Sequence, residues 1–363
     1  MDEHEYMMWL SSLSADIGAA RLNWLLSVFG KAQEVYKASD KSLMEDGGLT
    51  GVGLASLLKS RKSCYIDELR KKCDSLGVLF ISGDSEEFPS LLKDIPNAPI
   101  GLFCLGKMPP EDSPKVAVIG SRRCSEYGLI ASRLVAKPLA EAGTVIVSGM
   151  AKGIDSMAHR GALQGGGKTV AVLGTGVDIC YPAENRNLRQ DIISNGCIVS
   201  EYPPGAEAKR HFFPQRNRII SGMSLGVIVV EASKKSGTLG TVNHATDQGR
   251  EVFAVPGNIS SKLSEGTNSL IRDGAHPVQD YSDVLYVLGL MPPPGQEPDI
   301  DQRNLPLAPE EKLVYEYLNH EPISYDTLYE RTGLSCGRLH FVLTGLEVKG
   351  HLIKLPAGRY VKA

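Results

Sequence analysis

Residues 115–120 read Lys-Val-Ala-Val-Ile-Gly, KVAVIG. An unbroken apolar run rich in β-branched residues and closed by glycine predicts a short strand covered on both faces. Five further runs of this kind follow, TVIVSG (144–149), KTVAVLG (168–174), CIVSEYP (197–203), LGVIVVEA (225–232) and EVFAVPG (251–257), with helical stretches between them. This alternation predicts an α/β fold built on a doubly wound, mostly parallel Rossmann-like sheet. Any chemistry is then expected at the carboxyl ends of the strands, where loops meet helix N-termini and the chain order switches.

Outward from this centre the pattern changes twice. Residues 6 to about 76 carry Leu, Ile, Val and Ala at helical spacing and predict a small helical domain, with a turn at LTGVGLASLL (49–58). Its Gly-x-Gly before a small-residue helix suits either a helix-hairpin-helix or SAM-like turn with amides facing a phosphate, or a plain helix-helix turn. Segment 291–309 holds six of the 21 prolines and predicts a semi-rigid linker. Three helical stretches and two short strands then predict a winged helix-turn-helix. The expected division is 1–78 helical, 79–288 Rossmann-like, 289–307 linker and 308–363 winged helix. This last module holds seven Lys plus Arg and seven Asp plus Glu, and its third helix offers only Arg338 and Lys349 as cations. Reading a duplex takes more positive charge than that, so protein contact is the favoured role.

The 363 residues are 42% hydrophobic and 22% charged, enough to bury a sizeable core in two or three domains. A net charge of −3 is no overall sign of a nucleic-acid binder, so a polyanion site has to come from local clustering. Seven scattered cysteines without a CxxC pair argue against a disulfide framework and a zinc site, and no metal or cofactor is expected. The start, MDEHEYMMWL, is acidic where a signal peptide is basic, and no apolar run approaches the roughly 20 residues of a membrane span. A cytoplasmic protein without a membrane partner is the expectation.

Four of the predicted strand ends carry candidate residues. After KVAVIG comes Gly120-Ser121-Arg122-Arg123, which lacks the GxGxxG spacing of a dinucleotide site but offers a glycine, a hydroxyl and an arginine fork for phosphate. SGMAKGIDSMAH (148–159) places Gly149, Lys152 and Gly153 at a helix start. Asp155 and His159 share a helical face there, and capping and packing suit them better than metal or acid-base work, since no further ligand stands at a metal spacing. In TGVDICYPAENRNL, Asp178, Asn185 and Arg186 either bind or fix the loop. After LGVIVVEA, Lys234 to Thr241 forms a small-residue nest in which the amides of Ser236, Gly237 and Thr238 would face one phosphate. Finally, RHFFPQRNR (210–218) mixes arginines with adjacent phenylalanines, the composition of a surface that attracts negative charge and stacks on flat groups.

Two resemblances bear on these motifs. GTLGTVNH is similar to the GGxGTxxE pattern of the lysine-decarboxylase-like nucleoside-monophosphate phosphoribohydrolases, but their catalytic glutamate falls here on Asn243, an amide that is no general base. Taken in order, GSRRCSEYG, SGMAKGIDSMAH, YPAENRNL, SEYPPG, FFPQRNRIISG, VVEASKKSGTLGT, FAVPGN and EGTNSLIRDGA resemble the bacterial DNA-processing protein A family, DprA or Smf, from about residue 80 to 280. The resemblance implies a cytoplasmic homodimer, not an enzyme, that binds and protects incoming single-stranded DNA during natural transformation and helps load RecA recombinase. It further implies that Gly120, Ser121 and Arg122 share one pocket with Arg210, Phe213, Arg216, Asn217 and Arg218. Within that last segment Asn217 is expected to fix the loop rather than read a base, and Phe212 to belong to the core. The alternative is a nucleotide-binding or phosphoribohydrolase-like enzyme on the same scaffold.

Overall fold

The computed structural model describes residues 2–61, 64–290, 307–319, 321–348, 351–355 and 358–362. Two compact units result, one running to Met291 and one from Pro292. The first is organised by a nine-stranded sheet: β1 (Val78–Ser82), β2 (Gly101–Gly106), β3 (Lys115–Ile119), β4 (Val145–Ser148), β5 (Thr169–Leu173), β6 (Gly196–Ser200), β7 (Gly226–Val229), β8 (Glu251–Ala254) and β9 (His276–Pro277). Their spatial order is β1-β2-β6-β5-β4-β3-β7-β8-β9. Every run read as a strand from the sequence is one, and β3 to β9 pair in parallel wherever they are neighbours. The sheet gains an antiparallel pair, β1 and β2, at the β6 edge.

Alternation along each strand sends side chains to two separate cores, the arrangement of a doubly wound sheet. Ala117, Ile119, Val147, Val172, Val227 and Val229 pack under Ile219, Ile220 and Met223. Val116, Val118, Ile146 and Ile228 face the opposite way, against Ala131, Val135 and Leu139 of helix Glu126–Glu141 and Ile154 and Ala158 of helix Ile154–Gln164. Between β3 and β7 the winding reverses. These strands lie side by side, with Val116 paired to Gly226 and Ile119 to Val229, although 106 residues of chain separate Ile119 from Gly226. Their loops therefore open at one switch point.

The helical front shares this unit. Trp9, Leu10, Leu22, Leu25 and Leu57 form its core together with Ile100. The indole of Trp9 donates to Ser60 Oγ at 2.8 Å, satisfying its one polar atom. Gly51-Val52-Gly53 opens helix Gly51–Ser60. In the second unit, helices Pro309–Tyr317, Tyr325–Thr332 and Cys336–Val348 pack on β10 (Ile323–Ser324), β11 (Leu352–Leu355) and β12 (Arg359–Lys362), a winged-helix arrangement with sheet order β10-β12-β11. Val314, Leu328, Leu339, Leu343 and Tyr360 fill its core. The expected linker lies outside the described residues except for 289, 290 and 307, and Lys349 also lies outside them.

Candidate nucleic-acid interface

A cleft of about 800 Å³ opens at the switch point. Its walls are the loops after β3 and β7, the loop carrying Tyr181 and the first turns of helix Phe212–Gly222. Backbone hydrogen bonds lock the loops to one another: Ser121 N–H donates to the carbonyl of Glu231 (2.8 Å) and Ile154 N–H to that of Ser121 (3.3 Å). The approach is close enough that a Cβ on Gly153, at φ +78, would sit 2.5 Å from Ser121 O. Glycine is therefore required on both counts.

Three buried acids hold this scaffold. Asp155 does not cap its helix, whose N-cap is Gly153 without a side-chain bond. It reaches back and accepts from the N–H groups of Ala151, Gly120 and Gly149, and burial pushes its pKa up while Arg216 opposes the shift. Glu231 accepts from Ser125 N–H at 2.8 Å and Ser125 Oγ at 2.5 Å, fixing the start of helix Glu126–Glu141. Glu201 pairs with Arg218 at 2.6 Å. His159 is a core residue: Thr169 Oγ donates to Ile146 O at 2.6 Å, so the His159 Nδ1–H donates to Thr169 Oγ at 2.7 Å. Burial, with the nearby charge of Arg216, lowers its pKa to about 3. Asn185 donates to Met150 O and Ser156 Oγ, and Asp178 accepts from Gly205 N–H, so both fix loops.

Ten of the twelve residues singled out from the sequence line the cleft: Gly120, Ser121, Arg122, Arg210, Phe213, Arg216, Asn217, Ser236, Gly237 and Thr238. Lys152 is exposed elsewhere on an ion pair with Glu184. Arg218 is buried on the far side of helix Phe212–Gly222, where Glu201 meets its charge. The RHFFPQRNR segment is itself the start of that helix. Pro214 fits in its first turn, where backbone N–H groups have no partner four residues back. Helical phase then separates the side chains: Phe212 packs into the core, stacked on Tyr202 at 3.9 Å between ring centroids, and Phe213 turns to the cleft.

The arginines divide as well. Arg122, Arg123 and Arg210 are exposed at the cleft. Arg216 lies in its floor at 4% exposure, donating through Nη1 to the carbonyls of Gly149 (3.0 Å) and Val172 and through Nε to Asn217 Oδ1. Burial lowers its pKa to about 10, with Asp155 pulling the other way. It acts as a clamp across the ends of β4 and β5. Phe213 stands between the Arg122 guanidinium, 5.3 Å from the ring centroid, and Tyr181, also 5.3 Å away centroid to centroid. Tyr181, half exposed, was not singled out from the sequence; its only signal is an aromatic ring at a strand-end loop. In the nest, Ser236 Oγ accepts from Thr238 N–H at 3.2 Å, and helix Thr238–Asp247 begins without a side-chain cap.

Among the described residues no group of three or more His, Cys, Asp or Glu could hold a metal ion, and no helix is long and apolar enough to cross a membrane. The fold and cleft define a class: a Rossmann-like α/β protein with a basic, aromatic-edged cleft at its switch point. Residues 79–289 match the family of DNA recombination-mediator protein A, and 296–358 match the DprA winged helix domain. Protein Smf of Synechocystis is 32% identical over 395 residues, covering 99% of both chains. DNA processing protein DprA of Streptococcus pneumoniae is 46% identical over 215 residues, 56% of this chain and 76% of that one. The X-ray structure of the S. pneumoniae protein superposes with a TM-score of 0.68 at 36% identity, covering 78% of this chain and 97% of that chain. DNA processing protein A from Helicobacter pylori, solved for its single-stranded DNA binding mode, gives a TM-score of 0.53 at 31% identity over 58% of this chain and 95% of that one. The chain belongs to the DprA/Smf family of DNA recombination mediators.

Proposed function

We propose that this protein is a non-catalytic, single-stranded DNA-binding recombination mediator, cytoplasmic and homodimeric, that protects incoming DNA and helps load RecA recombinase onto it during natural transformation. One observation carries the binding reading: three exposed arginines, Arg122, Arg123 and Arg210, share a cleft with the rings of Phe213 and Tyr181. Arginine forks suit phosphates and phenyl faces suit unpaired bases, which a duplex keeps stacked inside. The single-stranded DNA binding mode of the Helicobacter pylori relative supports the same ligand. Against hydrolysis stand Asn243 in place of a general base and Glu231, whose two oxygens are engaged by Ser125.

The deciding experiment compares single- and double-stranded oligonucleotides of equal length in a filter or gel assay. The single strand is expected to bind more tightly, with affinity falling as salt rises. A preference for duplex refutes the proposal. Incubation with nucleoside monophosphates is expected to release no free base, and steady release abolished by Glu231→Gln would make the protein an enzyme. Strand exchange with RecA tests loading separately.

A further inference from the structure

A second large cleft, about 810 Å³, lies on the other side of helix Phe212–Gly222. Its size falls in the roughly 300–1,000 Å³ range of ligand sites. One wall comes from the helical front, with Arg21 and Trp24; the other comes from the α/β sheet region, with Gln215 and Arg218. Pro214 lines this cleft and the switch-point cleft alike, so the two surfaces meet at one exposed residue. His244 pins that ridge by a hydrogen bond to the Pro214 carbonyl.

The lining has a definite chemistry. Trp24 is 51% exposed although its indole N–H is anchored on Asp46 O at 3.1 Å, so the ring is held in place while open to solvent. Gly18, Ala19 and Ala20 beside it are too small to cover it. Arg21 is exposed next to it, leaning on the Gly47 carbonyl at 3.3 Å with one of its five N–H groups. Asn97 and Gln215 add amides. In the wall, Arg218 is paired through Nη2 with Glu201, which also lines the cleft, and its Nη1 is buried without a hydrogen-bond partner. A held aromatic face, a cation and amides within one cleft are the components that bind an unpaired base with its phosphate.

We propose that this second cleft continues the path of the strand: a single strand held at the switch point crosses Pro214, lays a further base on Trp24 and sets a phosphate by Arg21. The inference rests on the single-stranded DNA reading above and extends it to the helical front, which then lengthens the site.

The protein carries its own reporter. Of its two tryptophans, Trp9 is fully buried and Trp24 is exposed, so a change of indole emission on adding oligonucleotide reports Trp24. The full chain is titrated with oligodeoxythymidylates of about 4 and about 15 nucleotides, lengths near the two ends of known site sizes. The longer strand is expected to quench emission and the shorter, held at the switch point alone, to leave it unchanged. Trp24→Ala is expected to weaken the longer strand about tenfold and the shorter not at all, with Trp24→Phe restoring most of the loss and showing that the fold is intact. A 15-mer that binds by gel shift with emission unchanged overturns the inference and leaves the single-strand reading standing, as does an equal loss for both lengths in Trp24→Ala. Failure of either oligonucleotide to bind the unaltered protein overturns the single-strand reading, and this inference falls with it.

Discussion

Two arginines in the same cleft should fail in opposite ways when replaced by alanine. Arg122 is exposed and rests on the Phe213 face. Its loss removes one phosphate partner, so Arg122→Ala is expected to melt like the unaltered protein, bind single strands about tenfold more weakly and flatten the log-log salt dependence by about 0.7. Arg216 is buried on the carbonyls of Gly149 and Val172 and counters the charge of Asp155. Removing it leaves two buried carbonyls without that donor, at about 1–3 kcal/mol each, a fall in melting temperature on the order of 10 °C for a unit of this size. A second signature follows from Asp155. Burial already raises its pKa in the fold above that in the unfolded chain, so folding favours the protonated acid and stability falls as pH rises through that window. Without Arg216 the window widens upward, and the destabilisation of Arg216→Ala is expected to be larger at pH 8 than at pH 5. Asp155→Asn in the same chain should then recover part of it. Thermal melts at the two pH values and binding isotherms at several salt concentrations measure both effects. If Arg216→Ala melts normally and flattens the salt dependence as Arg122→Ala does, the assignment of Arg216 to the scaffold is wrong.

Phe213→Ala removes a stacking face and no charge, so single-strand affinity is expected to drop by roughly 1–3 kcal/mol with the salt slope unchanged in the same isotherms. His159 is held neutral in the core, with a pKa near 3. The unfolded chain takes up that proton first as pH falls below the ordinary histidine value, so this stability is complete above about pH 6.5 and is lost on acidification, by at most about 1.4 kcal/mol per pH unit. Denaturant unfolding at pH 7, 6 and 5, with His159→Gln showing the weaker dependence, tests this. Deleting 300–363 is expected to change single-strand affinity by about 1 kcal/mol or less, because Arg338 on the third helix of the winged unit is paired with Glu310 at 2.5 Å. A hundredfold loss in a filter assay would make that unit a DNA-contacting one.

The sheet was legible because parallel strands buried on both faces are written as unbroken apolar runs, and all six such runs are strands. The antiparallel addition was not. β1 follows helix Cys64–Leu76 after a single glycine, so its apolar residues extend the helical pattern, and Leu79 on its outer face is 64% exposed, which blurs the alternation an edge strand should show. β9 is two residues long and contains a proline, leaving no periodicity to read. Only the fold shows that β3 and β7 are neighbours, and this adjacency turns separate loop motifs into one cleft.

At the site the limit was helical phase. RHFFPQRNR names residues suited to phosphates and bases, but composition does not say which way each points, and Pro214 discourages reading the segment as a helix at all. Once it is the first turns of Phe212–Gly222, positions 213 and 217 fall toward the switch-point cleft, 212 turns into the core, 216 lies in the cleft floor, 214 sits between the two clefts and 218 edges the opposite side. Arg216 and Arg218, two residues apart and chemically identical, thus end on different partners: backbone carbonyls across β4 and β5 for one, Glu201 for the other. Two of the three arginines of this segment serve the scaffold. The exposed charge that remains, on Arg122, Arg123 and Arg210, shows how a protein of net charge −3 can still gather cations at one cleft.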